Sequence, residues 1–190
     1  DVRGNVYVAG ETIGALSGQV SSELQIPGAV VMDRSFLRKY NSKGEELWIR
    51  QLDSSFLHPL FGPTVAVDLE GNVLVAGPIV ATLQDPLREN VNTNLRKYDS
   101  SGEELWSLQL STEYLHEDGG AVSNIGVAVD RYGNIFLASG RTLRHYSPKG
   151  ELLWTHEFGS AGDEISDVAV SRDGNVYMAG MMFNRRTWDA

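Results

Sequence analysis

The sequence contains no cysteine in its 190 residues. Disulfide bonds, thiolate metal sites and cysteine nucleophiles are therefore excluded. Basic clusters are absent as well, because no run of Lys and Arg exceeds two residues. The chain has 16 Lys and Arg residues against 25 Asp and Glu residues. The formal net charge of −9 repels nucleic acid and anionic membrane surfaces on average, so neither is expected as a partner.

Long apolar runs and helical patterns are also missing. No apolar stretch approaches the length that spans a bilayer, so membrane insertion is not expected. No segment keeps a 3.6-residue apolar period, and only residues 83–90 are a candidate for a short turn of helix. The nucleophile elbow, the Walker loop, the HExxH motif and the dinucleotide fingerprint are absent. No catalytic residue, cofactor or metal ligand is assigned from motifs.

The chain is instead rich in glycine, with 20 residues, and it repeats two short motifs in alternation. The first motif is VAVDLEGNVLVAG at residues 65–77, and the second is LRKYDSSGEELW at residues 95–106. Further copies of the first motif lie at residues 1–10 (shortened), 127–140 and 168–180. Further copies of the second motif lie at residues 37–48 and 143–154. Such internal periodicity is typical of a repeat architecture.

Each motif predicts a β-hairpin, because two short β-branched runs flank a tetrad with Asp, Asn or Ser first and Gly fourth, the signature of a type I turn. Two hairpins make a four-stranded unit, here with strands A to D, and we count three, four, four and two strands in successive units. Units of this size predict an all-β protein, a β-propeller of three to three and a half antiparallel blades. A stacked β-solenoid is the less favoured alternative.

The whole chain is interpreted as one propeller region. The predicted blades are about 1–52 (partial), 64–110, 125–157 and 166–190 (partial). Joining the two ends would leave one strand B too many, and the chain begins at Asp1 without a visible signal peptide. We therefore favour a fragment of a larger propeller, completed by further blades of the same chain. The runner-up is a ring completed by homo-oligomerisation.

The pattern VAVDxxGNVYVAG followed by FLxKYxxxGxxLW resembles the bacterial SBBP-type β-propeller repeat, and the resemblance covers nearly all of the chain outside its insertions. It implies a bacterial protein that is extracellular, periplasmic or at the cell surface. That family has no established catalytic residues, so none is carried over. More distantly, the G-E-x-L-W element is similar to pyrroloquinoline-quinone propeller repeats, and VAVDxxGNVYV is similar to NHL repeats. Both of these are propellers too.

Variation is concentrated in the B–C and D–A connections, which share one edge of a meander. Loops on a rigid scaffold commonly carry binding residues. Within them Phe56-Leu57-His58 and Tyr114-Leu115-His116 follow a tryptophan at the same spacing. The ligand-facing candidates are His58, His116, Glu117 and Asp118. Common descent of the repeat explains the pair of histidines more simply, and neutral insertions remain an alternative to a binding edge.

Other conspicuous residues are interpreted as structural. Asp68 and the glycine after it are explained by the turn rather than by calcium. Lys39, Lys97 and His145 share one strand C position, which argues against a single catalytic role. The strand D tryptophans (Trp48, Trp106, Trp154) are expected to pack between blades rather than to stack on sugars.

Two classes of function remain open. The favoured one is a non-enzymatic binding or scaffold module that engages a protein or glycan through the long loops. The alternative is a propeller enzyme, for example a lyase, a hydrolase or a quinoprotein, with a site at the channel mouth. A structural oligomer or surface-layer component is a further possibility.

Overall fold

The computed structural model describes residues 1–13, 33–56, 62–80, 91–110, 125–159 and 163–182. These residues form thirteen strands and no helix, so none of them builds a helix that could cross a membrane. The strands make four sheets with three, four, four and two members, and every hydrogen-bonded neighbour is antiparallel. The predicted all-β, partial propeller is confirmed. The candidate helical turn at residues 83–90 lies outside the described residues.

The sheets follow the chain in order. The first contains β1 (Val6–Ile13), β2 (Asp33–Tyr40) and β3 (Glu46–Phe56). The second contains β4 (Thr64–Val67), β5 (Val73–Val80), β6 (Val91–Tyr98) and β7 (Glu104–Leu110). The third contains β8 (Ile125–Val129), β9 (Ile135–Ser139), β10 (Thr142–Tyr146) and β11 (Leu152–Glu157). The fourth contains β12 (Glu164–Val170) and β13 (Val176–Met181). The limits predicted for the whole propeller region stay a prediction.

Each tight turn closes as its sequence predicts. In the β4–β5 turn, the Gly71 N–H donates to the carbonyl of Asp68 at 3.1 Å, which closes a four-residue turn. The Asp68 side chain accepts hydrogen bonds from the backbone N–H groups of Glu70 at 3.0 Å and Asn72 at 2.9 Å. Gly71 has a φ of 85°, a left-handed conformation that strains any residue with a Cβ. The local sequence therefore determines the hairpins before any packing occurs.

The apolar core lies between the sheets. Side chains of β5 alternate, so that Val73 and Val75 enter a cluster shared with the first sheet, while Leu74 and Ala76 enter one shared with the third. Phe136 of β9 enters a third cluster, which is shared with the fourth sheet. Burial of one such large side chain contributes about 1.5–3 kcal/mol. The second and third sheets are thus stabilised by neighbours on both faces.

The first strand of each complete unit packs beside the first strand of the next. β4 contacts β8, and β8 contacts β12, which aligns the strand A positions along one side of the assembly. A Cβ atom on Gly126 would lie 2.8 Å from the backbone nitrogen of Val168 and 2.9 Å from the Cα of Asp167. The small residues of strand A are therefore required by the close approach of the next backbone.

We expect the substitution Gly126→Ala to destabilise the protein by about 1–3 kcal/mol, because the added methyl group meets backbone atoms that cannot rotate away. The measurement is the free energy of unfolding from urea titration. The matched control is Gly62→Ala, since a Cβ at Gly62 has no neighbour within 4 Å and should change stability by less than about 0.5 kcal/mol. Equal effects of the two substitutions would contradict the packing argument.

Candidate functional site

The strand ends that flank the variable connections lie together at one edge of each sheet. Ile13 pairs with Asp33 at the end of the β1–β2 ladder, and Val80 pairs with Val91 at the end of the β5–β6 ladder. The tight glycine turns close the opposite ends of the same ladders. The predicted candidates His58, His116, Glu117 and Asp118 lie outside the described residues, so their role stays a prediction.

The clearest charged group in the described residues is a buried ion pair. The Lys97 ammonium of β6 lies 3.0 Å from Oδ2 of Asp68, and both side chains are almost completely buried. The same oxygen accepts a hydrogen bond from the Asn72 side chain at 2.9 Å. An ammonium group beside the carboxylate disfavours a divalent cation there. The carboxylate accepts hydrogen bonds within the turn and pairs with Lys97. This agrees with the interpretation of Asp68 as a turn residue.

These contacts also determine the protonation of Asp68. Burial raises the pKa of the carboxyl group, but hydrogen bonds from Asn72 and Lys97 together lower it more. The net pKa of Asp68 therefore lies below its usual range, and the group stays ionised through the neutral and mildly acidic range. A permanently charged, fully paired carboxylate is suited to holding the hairpin and is a poor general base.

The strand C position that holds Lys97 in the second sheet is used differently in each unit. Lys39 of β2 is buried, and its Nζ donates to the carbonyl of Ser100, in the turn of the next sheet, at 2.7 Å. His145 of β10 stacks on Phe136, with ring centroids 4.4 Å apart. Burial lowers the pKa of His145, a shift that Asp130 opposes. The three residues therefore make different contacts at this position.

Two strand D tryptophans lie on the turn of the following sheet. The Trp48 Nε1–H donates to the carbonyl of Ser100 at 3.1 Å, and its ring lies 3.1 Å from where a Cβ of Gly102 would be. Trp106 lies 3.5 Å from the corresponding position at Gly150. Both rings also pack on the apolar clusters between sheets. The prediction that these tryptophans pack between blades is confirmed, and both are partly buried.

The same prediction is wrong for Trp154. This residue of β11 has 41% of its surface exposed, although its ring contacts His145 with centroids 5.0 Å apart. The described part of the fourth sheet contains only strands A and B, so no C–D turn covers the indole. The local sequence is the same as at Trp48 and Trp106, and only the neighbour differs.

The described residues therefore hold two kinds of feature at different places. One is a set of charged groups that are paired within turns or across the contact between sheets. The other is a set of exposed large apolar side chains on β11 and β13, among them Trp154 and Tyr177. Within the described ranges, no group of three or more His, Asp and Glu side chains could hold a metal ion. Sequence reasoning missed the ion pair between Lys97 and Asp68, because it joins two positions that belong to different motifs.

Comparison with known proteins adds similarity of structure. No family model and no curated protein matches the chain. A protein of unknown function from Bacteroides caccae is 14% identical, with a TM-score of 0.48 over 83% of this chain and 53% of its own length. A gluconolactonase from Xanthomonas campestris is 14% identical, with a TM-score of 0.29 over 77% of this chain and 65% of its own length.

The chain thus spans about half of the Bacteroides protein and 65% of the gluconolactonase. With identities of 14% and TM-scores below 0.5, neither similarity extends to an activity, a substrate or a ligand.

We expect Asp68→Asn to destabilise the protein by about 3–5 kcal/mol at neutral pH, because Lys97 loses its buried carboxylate partner. The pKa of Asp68 is lower in the folded state than the unfolded value of about 3.9. Its contribution to stability is therefore complete above that pH and is lost as the pH falls through the folded-state pKa. The difference between wild type and variant should shrink below about pH 4.

The measurement is the free energy of unfolding by urea at pH values from about 7 down to 3. The control is Asp173→Asn, which changes an exposed turn residue and should alter stability by less than about 0.5 kcal/mol. If Asp68→Asn and wild type lose stability in parallel over the whole range, the ion pair does not contribute as argued.

Proposed function

We propose that the protein is a non-enzymatic binding or scaffold module that engages a protein or glycan partner through its long B–C and D–A connections. The resemblance to SBBP-type repeats supports placing it in an exported or cell-surface bacterial protein. In the sequence, the B–C connections of this proposal run from residue 11 to about 34 and from 78 to about 93, and the D–A connections are residues 53–63, 111–124 and 159–163. The sheets between them serve as the scaffold.

The observation that carries this proposal is a difference between the two edges of the sheets. At the edge with the tight turns, polar groups such as Asp68, Lys97 and Lys39 are bound to one another or to backbone carbonyls. These groups have little freedom to meet a ligand. The opposite edge carries the connections that vary in length, and a rigid scaffold with variable loops is the usual setting for binding.

The third sheet shows how short a B–C connection can be. Its strands β9 and β10 are joined directly after the pair Ser139 and Thr142, so only two residues form the connection. In the first sheet the corresponding pair is Gly10 with Phe36, and the ladder continues three pairs further to Ile13 with Asp33. Between Ile13 and Asp33 lie 19 residues, 14–32. The sheet does not need the extra residues to form its ladder, which supports a role for them in recognition.

The enzyme remains the second candidate from sequence, with chemistry at the channel mouth. No particular observation in the described residues favours it. Turnover of any member of a panel of glycosides, esters and uronic-acid polymers would replace the module proposal, whereas binding without turnover would support it.

We expect replacement of residues 14–32 by Asn-Gly to preserve the fold, because a two-residue hairpin turn suits the Ile13–Asp33 pair. Binding to immobilised bacterial polysaccharides and extracellular proteins should fall at least tenfold. The measurement is equilibrium binding by surface plasmon resonance, with circular dichroism to verify the strands.

The matched control changes the opposite edge, with Arg172→Ala and Asp173→Ala in an exposed tight turn. This variant should bind as tightly as the wild type. The proposal would be overturned if the shortened variant kept full affinity while the turn variant lost it, or if the wild type bound nothing on either panel.

A further inference from the structure

One arginine of strand C is paired with a carboxylate in the first two units and not in the third. Nη1 of Arg38 lies 3.0 Å from Oε2 of Glu46, and Nη1 of Arg96 lies 3.5 Å from Oε2 of Glu104. Arg144 occupies the same position of the motif in the third unit. Among the ion pairs of the described residues, none includes Arg144. The third unit therefore lacks the anion that the other two units supply from their own sequence.

A single difference in strand D removes this carboxylate. Glu104 of β7 pairs across the ladder with Tyr98, and Leu152 of β11 pairs with Tyr146 in the same way. Cross-strand partners share one face of a sheet, and so do residues two apart along a strand. Leu152 therefore stands on the same face as Arg144, where the second unit has its carboxylate.

Arg144 lies on the face of the third sheet that packs against the second. Tyr146, on the same face, belongs to the apolar cluster that these two sheets share. Burial raises the pKa of Tyr146, and the nearby charge of Arg144 opposes this shift. Nη1 of Arg144 is shielded from solvent and has no hydrogen-bond partner. Because that donor has lost water and gained no acceptor, the positive charge of the side chain is poorly compensated.

The position of the missing carboxylate is open to solvent. In the two paired units, the side chains of Glu46 and Glu104 are 40% and 39% exposed. Leu152 is 56% exposed, and Arg144 as a whole is only partly buried. The second and third sheets both have four strands, so the position has its neighbours on either side. An anion can therefore approach the guanidinium from the side that the glutamates occupy in the other units.

We propose that Arg144 is the centre of a binding site for a carboxylate group supplied by a ligand. A carboxylate matches the planar fork of donors on a guanidinium, and it is the group that the repeat itself uses at this position. The exposed Thr155 pairs with Arg144 across the ladder, so its hydroxyl is a second donor on the same face. The affinity for a small carboxylate is expected in the millimolar range, because a partly exposed ion pair is weak. The site does not rest on the proposed function.

The test follows the Nε–Hε signal of Arg144 by NMR in the full ¹⁵N-labelled chain during titration with sodium acetate at constant ionic strength. Arg144→Met identifies the signal, which should shift and saturate. Leu152→Glu should weaken acetate binding at Arg144 at least about tenfold, because the new carboxylate is held beside the guanidinium at high effective concentration. This variant places on an exposed position the residue that the other two units carry, so the fold should be retained.

The matched control is the second unit. The Arg96 signal should not respond to acetate in the wild type, because Glu104 already occupies its site. Glu104→Leu should give Arg96 the response that Arg144 shows. Titration with D-glucuronate distinguishes two sources of the carboxylate. Binding at least about tenfold tighter than acetate supports a site for an acidic sugar, and equal affinity supports a site for a small organic acid.

Three results would overturn the proposal. The first is the absence of a saturable shift at Arg144. The second is an equal shift when sodium chloride replaces acetate, because the site would then hold any counter-ion. The third is a response to acetate that Leu152→Glu leaves unchanged, because acetate would then bind elsewhere.

Discussion

Contact between a strand D tryptophan and the glycine turn of the next sheet is the interaction on which the rest of the assembly depends. A single unit of three or four strands cannot bury two apolar faces by itself, so its stability comes from its neighbours. The indole of Trp48 covers Gly102, and Trp106 covers Gly150. Because it joins strand D of one unit to the C–D turn of the next, this contact fixes the position of one unit against the other.

The pairing of polar groups at the turns follows from this packing. Once a turn is packed against a neighbour, its carbonyl groups lose water and need donors from the adjacent unit. Lys39 and Trp48 supply these donors to Ser100, while Lys97 turns inward to Asp68. Lys39, Lys97 and Asp68 are therefore structural residues of the repeat.

Much of the fold could be predicted from the sequence, because the turns and strands are determined locally. The tetrad that begins at Asp68 specifies its own turn, and alternation along β5 specifies which residues are apolar. Contacts between units could not be predicted in the same way. Lys39 and Lys97 stand in nearly identical motifs yet bind different partners, since the choice depends on how two sheets approach each other. His58 and His116 recur at the same spacing after a tryptophan, but spacing along the chain gives no distance between side chains in connections of variable length.

Whether a given position of the repeat is buried depends on the neighbouring sheet and not on the type of residue. Leu74, Phe136 and Tyr177 occupy the same position in strand B, and the first two are buried whereas Tyr177 is 59% exposed. Trp154 differs from Trp48 and Trp106 in the same sense. Leu74 and Phe136 pack against a following sheet, whereas no described strand follows β13. The same alternation along a strand therefore gives a core residue in one unit and an exposed residue in another.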